Sequence, residues 1–283
     1  MNEFPRTTVG GVSLSRLIIG TNWFLGYSHQ SKAKDDFIKE YQTSENIANI
    51  LTVFMEAGVD TIMGMPEPIL ADAIEEAENR TGRKSTLILT PGFNLKPGGP
   101  PANDPEPVFD RCQELGATFC MPHQGVTDCL MDRLNGTIRD LDKYTAMIRE
   151  REMVPGLSTH MPETVIMADE IDADVETYIQ IYNAVGFLMQ VEQDWVMRVI
   201  RNAKKPVMTI KPLGAGKLQP SVGLAFSWNT IRDCDMVTIG TTTPDEAREI
   251  VDISMDYLDN RIPDNELQTT RSKATLIRES AGA

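Results

Sequence analysis

The sequence predicts a closed parallel (β/α)8 TIM barrel entered through an N-terminal β-hairpin, and three observations carry that prediction. Eight short apolar runs recur along the chain, each ending in small or polar residues. Helix-like stretches follow the runs, which is the alternation a parallel barrel requires. The length of 283 residues fits one such domain, since a barrel typically takes about 250 residues. Residues 1–283 are therefore expected to form a single barrel domain, with 1–15 as a hairpin plug and 260–283 as a C-terminal tail.

The elements follow in order. Thr7 to Ser13 reads as the hairpin, with Gly10 and Gly11 supplying a tight turn before the first strand, Leu17 to Gly20. A long loop follows. Ser44 then reads as the cap of the first helix, whose buried stripe is Ile47, Ile50, Leu51 and Phe54. Asp60 to Met63 is the second strand. Pro66 to Pro68 starts a helix with Ile69, Leu70, Ala73 and Ile74 facing inward. The third strand, Leu87 to Leu89, leads into a Gly/Pro-rich loop, Phe93 to Asn103, long enough to overhang the strand ends.

A helix begins near Asp104, and Thr118 to Met121 is the fourth strand. Gly125 to Asn135 reads as a connection to a helix over about 137–152. The fifth strand lies near Gly156 and Leu157, and a helix follows His160. The sixth strand ends near Gln180, a helix covers Glu192 to Ala203, the seventh strand ends at Lys211, and Met236 to Gly240 is the eighth. Thr243, Pro244 and Glu246 combine an N-cap, a proline at the first helical position and the glutamate of a capping box. The polar tail after Asp259 has room for one helix.

Composition narrows the function. A formal charge of −14 with no basic stripe argues against nucleic-acid and anionic-membrane partners. No apolar run approaches the ~20 residues of a membrane span, and the N-terminus lacks a signal-peptide pattern. A cytoplasmic location and a small-molecule substrate are expected. Oligomeric state is not legible. Cys112, Cys120, Cys129 and Cys234 show no CxxC pair or zinc-ligand spacing and read as reduced thiols, Cys120 most simply as core packing.

Barrels of this kind work at the C-terminal ends of their strands. Those ends offer Asn22, His123, Ser158, Thr159, His160, Gln180, Lys211 and the run Thr241, Thr242, Thr243. His123 and His160 stand at adjacent strand ends, where imidazoles could share acid and base roles. The plainer alternatives are scaffold for His123 and a helix cap for His160. Lys211 could form a Schiff base or anchor an anion, with a scaffold or substrate-anchoring role favoured over covalent catalysis. Asn22 and Trp23 would suit a sugar-like ligand, or simply pack their loop. Met63, Met65, Met121 and Met161 fill core or pocket wall. His29 reads as a solvated loop residue. A metal would need Glu192 or Asp128 to join the two histidines, and no spacing supports it, so no metal is assigned.

Several segments together resemble the aldo/keto reductase superfamily. Val12 to Thr21 resembles its hairpin and first strand, and Glu67 to Ile74 its second helix. Gly156 to Thr159 resembles its fifth strand end, Lys211 to Gly216 its seventh strand turn, and Ile239 to Pro244 the start of its last helix. The resemblance implies a barrel that binds a nicotinamide cofactor and reduces carbonyls with an Asp, Tyr, Lys and His. Here only the histidine is matched, by His123; Pro91 stands where the lysine belongs, and Ile62 to Met65 offers no ionisable group. Without the tyrosine, standard reduction loses its general acid.

The resemblance also implies a nicotinamide site at Ser158, Thr159 (in place of an Asn) and Gln180. Gly214, Gly216 and Lys217, with Thr241, Thr242 and Thr243 at the last helix, would cradle phosphates. Ile210 replaces the aromatic that stacks on nicotinamide, so NADP or NAD is open but not favoured. The expected function is acid–base chemistry (isomerase, lyase or hydrolase) on a small carbohydrate-like metabolite, with His123 principal, His160 assisting, and Asn22, Trp23, Gln180 and Lys211 holding substrate. The alternatives are a divergent NAD(P)-dependent oxidoreductase and a non-catalytic ligand-binding or partner subunit.

Overall fold

The computed structural model describes residues 3–93, 104–266 and 270. The chain opens with an antiparallel hairpin, β1 (Arg6–Val9) and β2 (Val12–Ser15). Its turn places Gly10 and Gly11 at φ +53° and +82°, a left-handed pair that glycine adopts without strain. Then come β3 (Leu17–Gly20), α1 (Lys32–Tyr41), α2 (Ser44–Glu56), β4 (Thr61–Gly64), α3 (Pro68–Thr81) and β5 (Thr86–Leu89). Next are α4 (Glu106–Glu114), β6 (Phe119–Cys120), α5 (Gln124–Leu130), the small pair β7 (Met131–Asp132) and β8 (Thr137–Ile138), and α6 (Leu141–Glu150). The second half holds β9 (Val154–Pro155), β10 (Leu157–Thr159), α7 (Pro162–Glu170), β11 (Tyr178–Ile181) and α8 (Gln193–Asn202). It ends with β12 (Val207–Ile210), α9 (Pro220–Thr230), β13 (Met236–Ile239) and α10 (Pro244–Leu258).

The parallel sheet runs β10-β11-β12-β13-β3-β4-β5-β6-β9. β9 and β10 are one barrel strand interrupted at Gly156. β9 pairs with β6 and β10 with β11, so this broken strand closes the cylinder. A side chain is excluded at the break: a Cβ on Gly156 would lie 2.6 Å from Met121 Cε and 2.9 Å from the Thr177 carbonyl oxygen. The fifth strand, least evident in the sequence, is thus where two half-strands meet over a glycine.

Strand alternation sorts side chains into two layers. Ile18, Met63, Ile88, Phe119, Ile179, Met208 and Met236 point into the barrel, with Val9 and Leu14 of the hairpin packed beneath them. Their chain neighbours Leu17, Ile62, Cys120, Tyr178, Val207 and Val237 point outward, into the layer between strands and helices. The floor is tied by Asp235, fully buried. Its carboxylate takes hydrogen bonds from the Val207 amide and from the backbone and guanidinium of Arg232.

Four expectations are corrected. The long loop after the first strand contains α1, capped by Ser31, whose hydroxyl accepts from the Lys34 amide. Only Ile38 of that helix is buried, too thin a stripe to show as periodicity. α2 is capped one residue earlier than Ser44, by Thr43 accepting from the Asn46 amide. In α3 the inward stripe is Leu70, Ala73 and Ala77, while Ile69 is solvent-exposed. The connection over 125–135 holds α5 and half of the β7–β8 pair rather than irregular chain. Residues 260–266 form no helix; 94–103, and the tail from 267 apart from Thr270, lie outside the described residues.

Candidate functional site

A cavity of about 710 Å³ opens where the barrel strands end. Period-two alternation decides what reaches it. Along β10, Leu157 faces out and Ser158 in, so Thr159 faces out and His160 comes in; Ser158 and His160 line the cavity. Thr159 instead donates its hydroxyl to Asp128 of α5 and receives the Met161 amide at 2.9 Å. The same rule removes Gln180 from the site. Ile179 points inward, so Gln180 points to the outer layer, fully buried, with its Nε2 on the Ile181 carbonyl at 3.2 Å.

Lys211 breaks the alternation to the site's benefit. Met208 and Ile210 face inward, so Lys211 would turn out if the strand continued. Its backbone is left-handed at φ +61°, and both Ile210 and Lys211 line the cavity. The Lys211 ammonium lies 3.0 Å from His29 Nε2. His29, expected to be a solvated loop residue, is solvent-exposed, but it also meets Lys211 at the cavity. Its ring rests on the cavity rim, with Nδ1 2.9 Å from the Tyr27 carbonyl. A carbonyl can only accept, so Nδ1 carries the proton and Nε2 accepts from Lys211. Asp35 fixes this loop by accepting from the Ser28 amide and hydroxyl. The signal available in the sequence was position: His29 follows the same strand end as Asn22 and Trp23, both of which line the cavity.

His123 caps α5. Its Nδ1 accepts from the Gly125 amide at 3.2 Å, which leaves the proton on Nε2. His160 differs: its backbone amide donates to Asp128 at 3.1 Å, and its ring makes no hydrogen bond among the described residues. All three imidazoles are held below the usual histidine value by burial and by the Lys211 charge, His160 down to about 4. Burial lowers Lys211 itself to about 8. Asp128 is pushed up by burial, against the Thr159 hydroxyl and His160 amide that favour its anion.

The metal partners weighed from sequence do not assemble. The Asp128 carboxylate is committed to Thr159 and His160, and Glu192 sits at the start of α8, outside the cavity lining. Among the described residues no three His, Cys, Asp or Glu side chains are grouped to hold an ion.

The structure is an aldo/keto-reductase-like barrel. A Pseudomonas aeruginosa protein assigned as an aldo-keto reductase matches it with TM-score 0.63 at 15% identity, covering 89% of this chain and 96% of that one. The holo form of an aldo-keto reductase from Bacillus halodurans matches with TM-score 0.54 at 14% identity, covering 89% and 91%. A truncated 3-deoxy-D-arabino-heptulosonate 7-phosphate synthase from Thermotoga maritima matches comparably, with TM-score 0.55 at 11% identity, covering 91% and 93%. Likeness this distant spans unrelated chemistries and speaks for the fold alone. No protein-family pattern and no curated protein matches the sequence.

The nicotinamide dinucleotide that the sequence resemblance implies is poorly matched by the residues present. Of the three expected carboxamide partners only Ser158 reaches the cavity; Thr159 and Gln180 face away. At α10 the anion position is filled from within. The Glu246 carboxylate accepts from the Thr242 amide at 2.6 Å and its hydroxyl at 2.8 Å, while Thr243 accepts from the Glu246 amide at 3.2 Å. Glu246 and Glu249 also line this end of the cavity, where they would repel phosphate. The Lys217 ammonium stacks 4.1 Å over the Phe187 ring. Gly216 and Thr241 line the cavity; Gly214, Lys217, Thr242 and Thr243 do not.

Proposed function

We propose that this protein is an enzyme that moves protons on a small, polar, carbohydrate-like metabolite, by isomerisation, elimination or hydrolysis. The observation that carries the reading is the division of labour between two histidines facing one cavity. Of the two, only His160 has a ring free of hydrogen bonds among the described residues, so it can accept and return a proton. His123, with Nδ1 occupied by Gly125 and its proton on Nε2, serves as a neutral hydrogen-bond donor to a substrate oxygen. This reverses the roles expected from sequence, where His123 was the principal acid/base.

In this reading His160 removes a proton beside a carbonyl, the His123 Nε2–H steadies the oxyanion that develops, and the imidazolium of His160 returns the proton elsewhere. Asn22, Trp23 and Ser158 on the cavity wall orient hydroxyls. The test is to incubate the protein in D2O with a panel of sugars, sugar acids and sugar phosphates, and follow carbon-bound deuterium by NMR. Deuterium incorporation that disappears in His160→Asn and falls in His123→Gln is expected. Turnover that instead requires NAD(H) or NADP(H) would contradict the reading in favour of an oxidoreductase; no turnover under either regime would favour a binding subunit.

A further inference from the structure

Among the described residues Lys211 is a cation without a counter-ion: its partner is the neutral Nε2 of His29, which takes one of its three N–H donors, and no carboxylate there offsets the desolvation of its ammonium. A charge held this way is costly until something of opposite sign arrives.

Thr21 and Thr241 stand on the same wall, 1% and 3% exposed, with their hydroxyl oxygens buried rather than open to the cavity. They follow β3 and β13, and Lys211 follows β12; these three strands are consecutive in the sheet. His123 and His160 follow β6 and β10, on the other side of the ring. The mouth therefore has one face that carries a cation, and one face of neutral imidazoles.

We propose that the substrate carries a carboxylate or phosphate group, and that Lys211 binds it as the missing counter-ion. The proposal rests on the acid–base reading for the reaction that follows, but the binding step stands apart from it. An anion seated on Lys211 directs the rest of the molecule toward His123 and His160. It also screens the ammonium that disfavours protonation of His160, and so makes that imidazole a stronger base when substrate is present. A neutral sugar supplies no partner for the ammonium. Glu246 and Glu249 border the cavity near α10, which leaves the Lys211 side as the place where an anion is not repelled.

The experiment is an NMR titration of the full chain carrying isotope-labelled lysine, with the Lys211 signal assigned by its loss in Lys211→Met. The probes are gluconate, a hexitol phosphate, inorganic phosphate and the neutral hexitol sorbitol. Saturable movement of the Lys211 signal with at least one anion but not with sorbitol is expected. Gluconate acting alone identifies a carboxylate, and the phosphates acting alone identify a phosphate. Calorimetric affinity for the active probe should fall about tenfold or more in Lys211→Met and be largely restored in Lys211→Arg.

Equal response to sorbitol, no response to any anion, or unchanged affinity in Lys211→Met would overturn the proposal. So would loss of the response with EDTA, which would give the anion to a metal, or reductive trapping of an aldehyde on Lys211 by cyanoborohydride. Anion binding without any proton exchange would leave the anchor intact and remove the acid–base reading. Exchange on a neutral sugar would do the reverse.

Discussion

Replacing Lys211 with Met should stabilise the folded protein at neutral pH, because it removes a desolvated charge that no carboxylate among the described residues pairs. Burial lowers the lysine to about 8, against about 10.4 for a free lysine. That difference corresponds to about 3 kcal/mol of penalty, and to about half of it once the cavity's opening to solvent is allowed for. The sign follows from proton counting. Below pH ~8 both folded and unfolded states are protonated at this site, and the folded state carries the full penalty. Between ~8 and ~10.4 the unfolded chain holds the proton more tightly, so wild-type stability gains on the variant as pH rises.

Urea unfolding of both proteins from neutral to mildly alkaline pH measures this. The variant should be more stable by about 1.5–3 kcal/mol at neutral pH, with the gap closing above pH ~8. Met also fills the same wall with an unbranched apolar chain, so little packing is lost. A variant less stable than wild type at neutral pH, or a gap that does not change with pH, would refute the unpaired-cation reasoning.

His160, held near 4 when folded, should make wild-type stability fall as pH drops from ~6.5 to ~4 by up to about 3 kcal/mol, because the unfolded chain protonates first. His160→Gln should flatten that limb, as thermal melts across the window would show. Asp235→Ala takes the acceptor from the Val207 amide and the carboxylate from Arg232, whose guanidinium keeps only the Ala203 and Lys205 carbonyls; a loss of about 3–5 kcal/mol is expected in urea unfolding, and a loss below about 1 kcal/mol would refute its role in the barrel floor. Gly156→Ala pushes a methyl against Met121 and the Thr177 carbonyl, so about 1–3 kcal/mol of destabilisation is expected by the same measurement. Stability equal to wild type would mean the seam between β9 and β10 is looser than described.

Features set by local chemistry were legible in the sequence. The Gly10–Gly11 turn, the inward stripe of α2 and the Thr243 cap of α10 each depend on neighbours within a few residues. So was the barrel, whose strand–helix alternation is a repeated local pattern. The site was half legible. Strand ends were found, and His123, Ser158, His160, Lys211, Asn22 and Trp23 all reach the cavity. Thr159 and Gln180 stand at strand ends but not in the cavity, because strand parity turns them away from the inward Ser158 and Ile179.

Other features depend on geometry that no spacing encodes. The left-handed turn at Lys211 reverses the facing that alternation dictates there. The meeting of His29 with Lys211 joins residues 182 positions apart. The distinction between His123 and His160 rests on a single backbone amide, that of Gly125.

The chain contains three histidines, all at this site, so a pH titration of their ring nitrogens by NMR reads the whole constellation in one experiment. Expected are an Nδ1–H tautomer for His29, an Nε2–H tautomer for His123, three titrations below the free value of about 6.5 with His160 near 4, and upward shifts of all three in Lys211→Met. Three independent curves at the free value, indifferent to Lys211, would contradict the claim that these groups form one site.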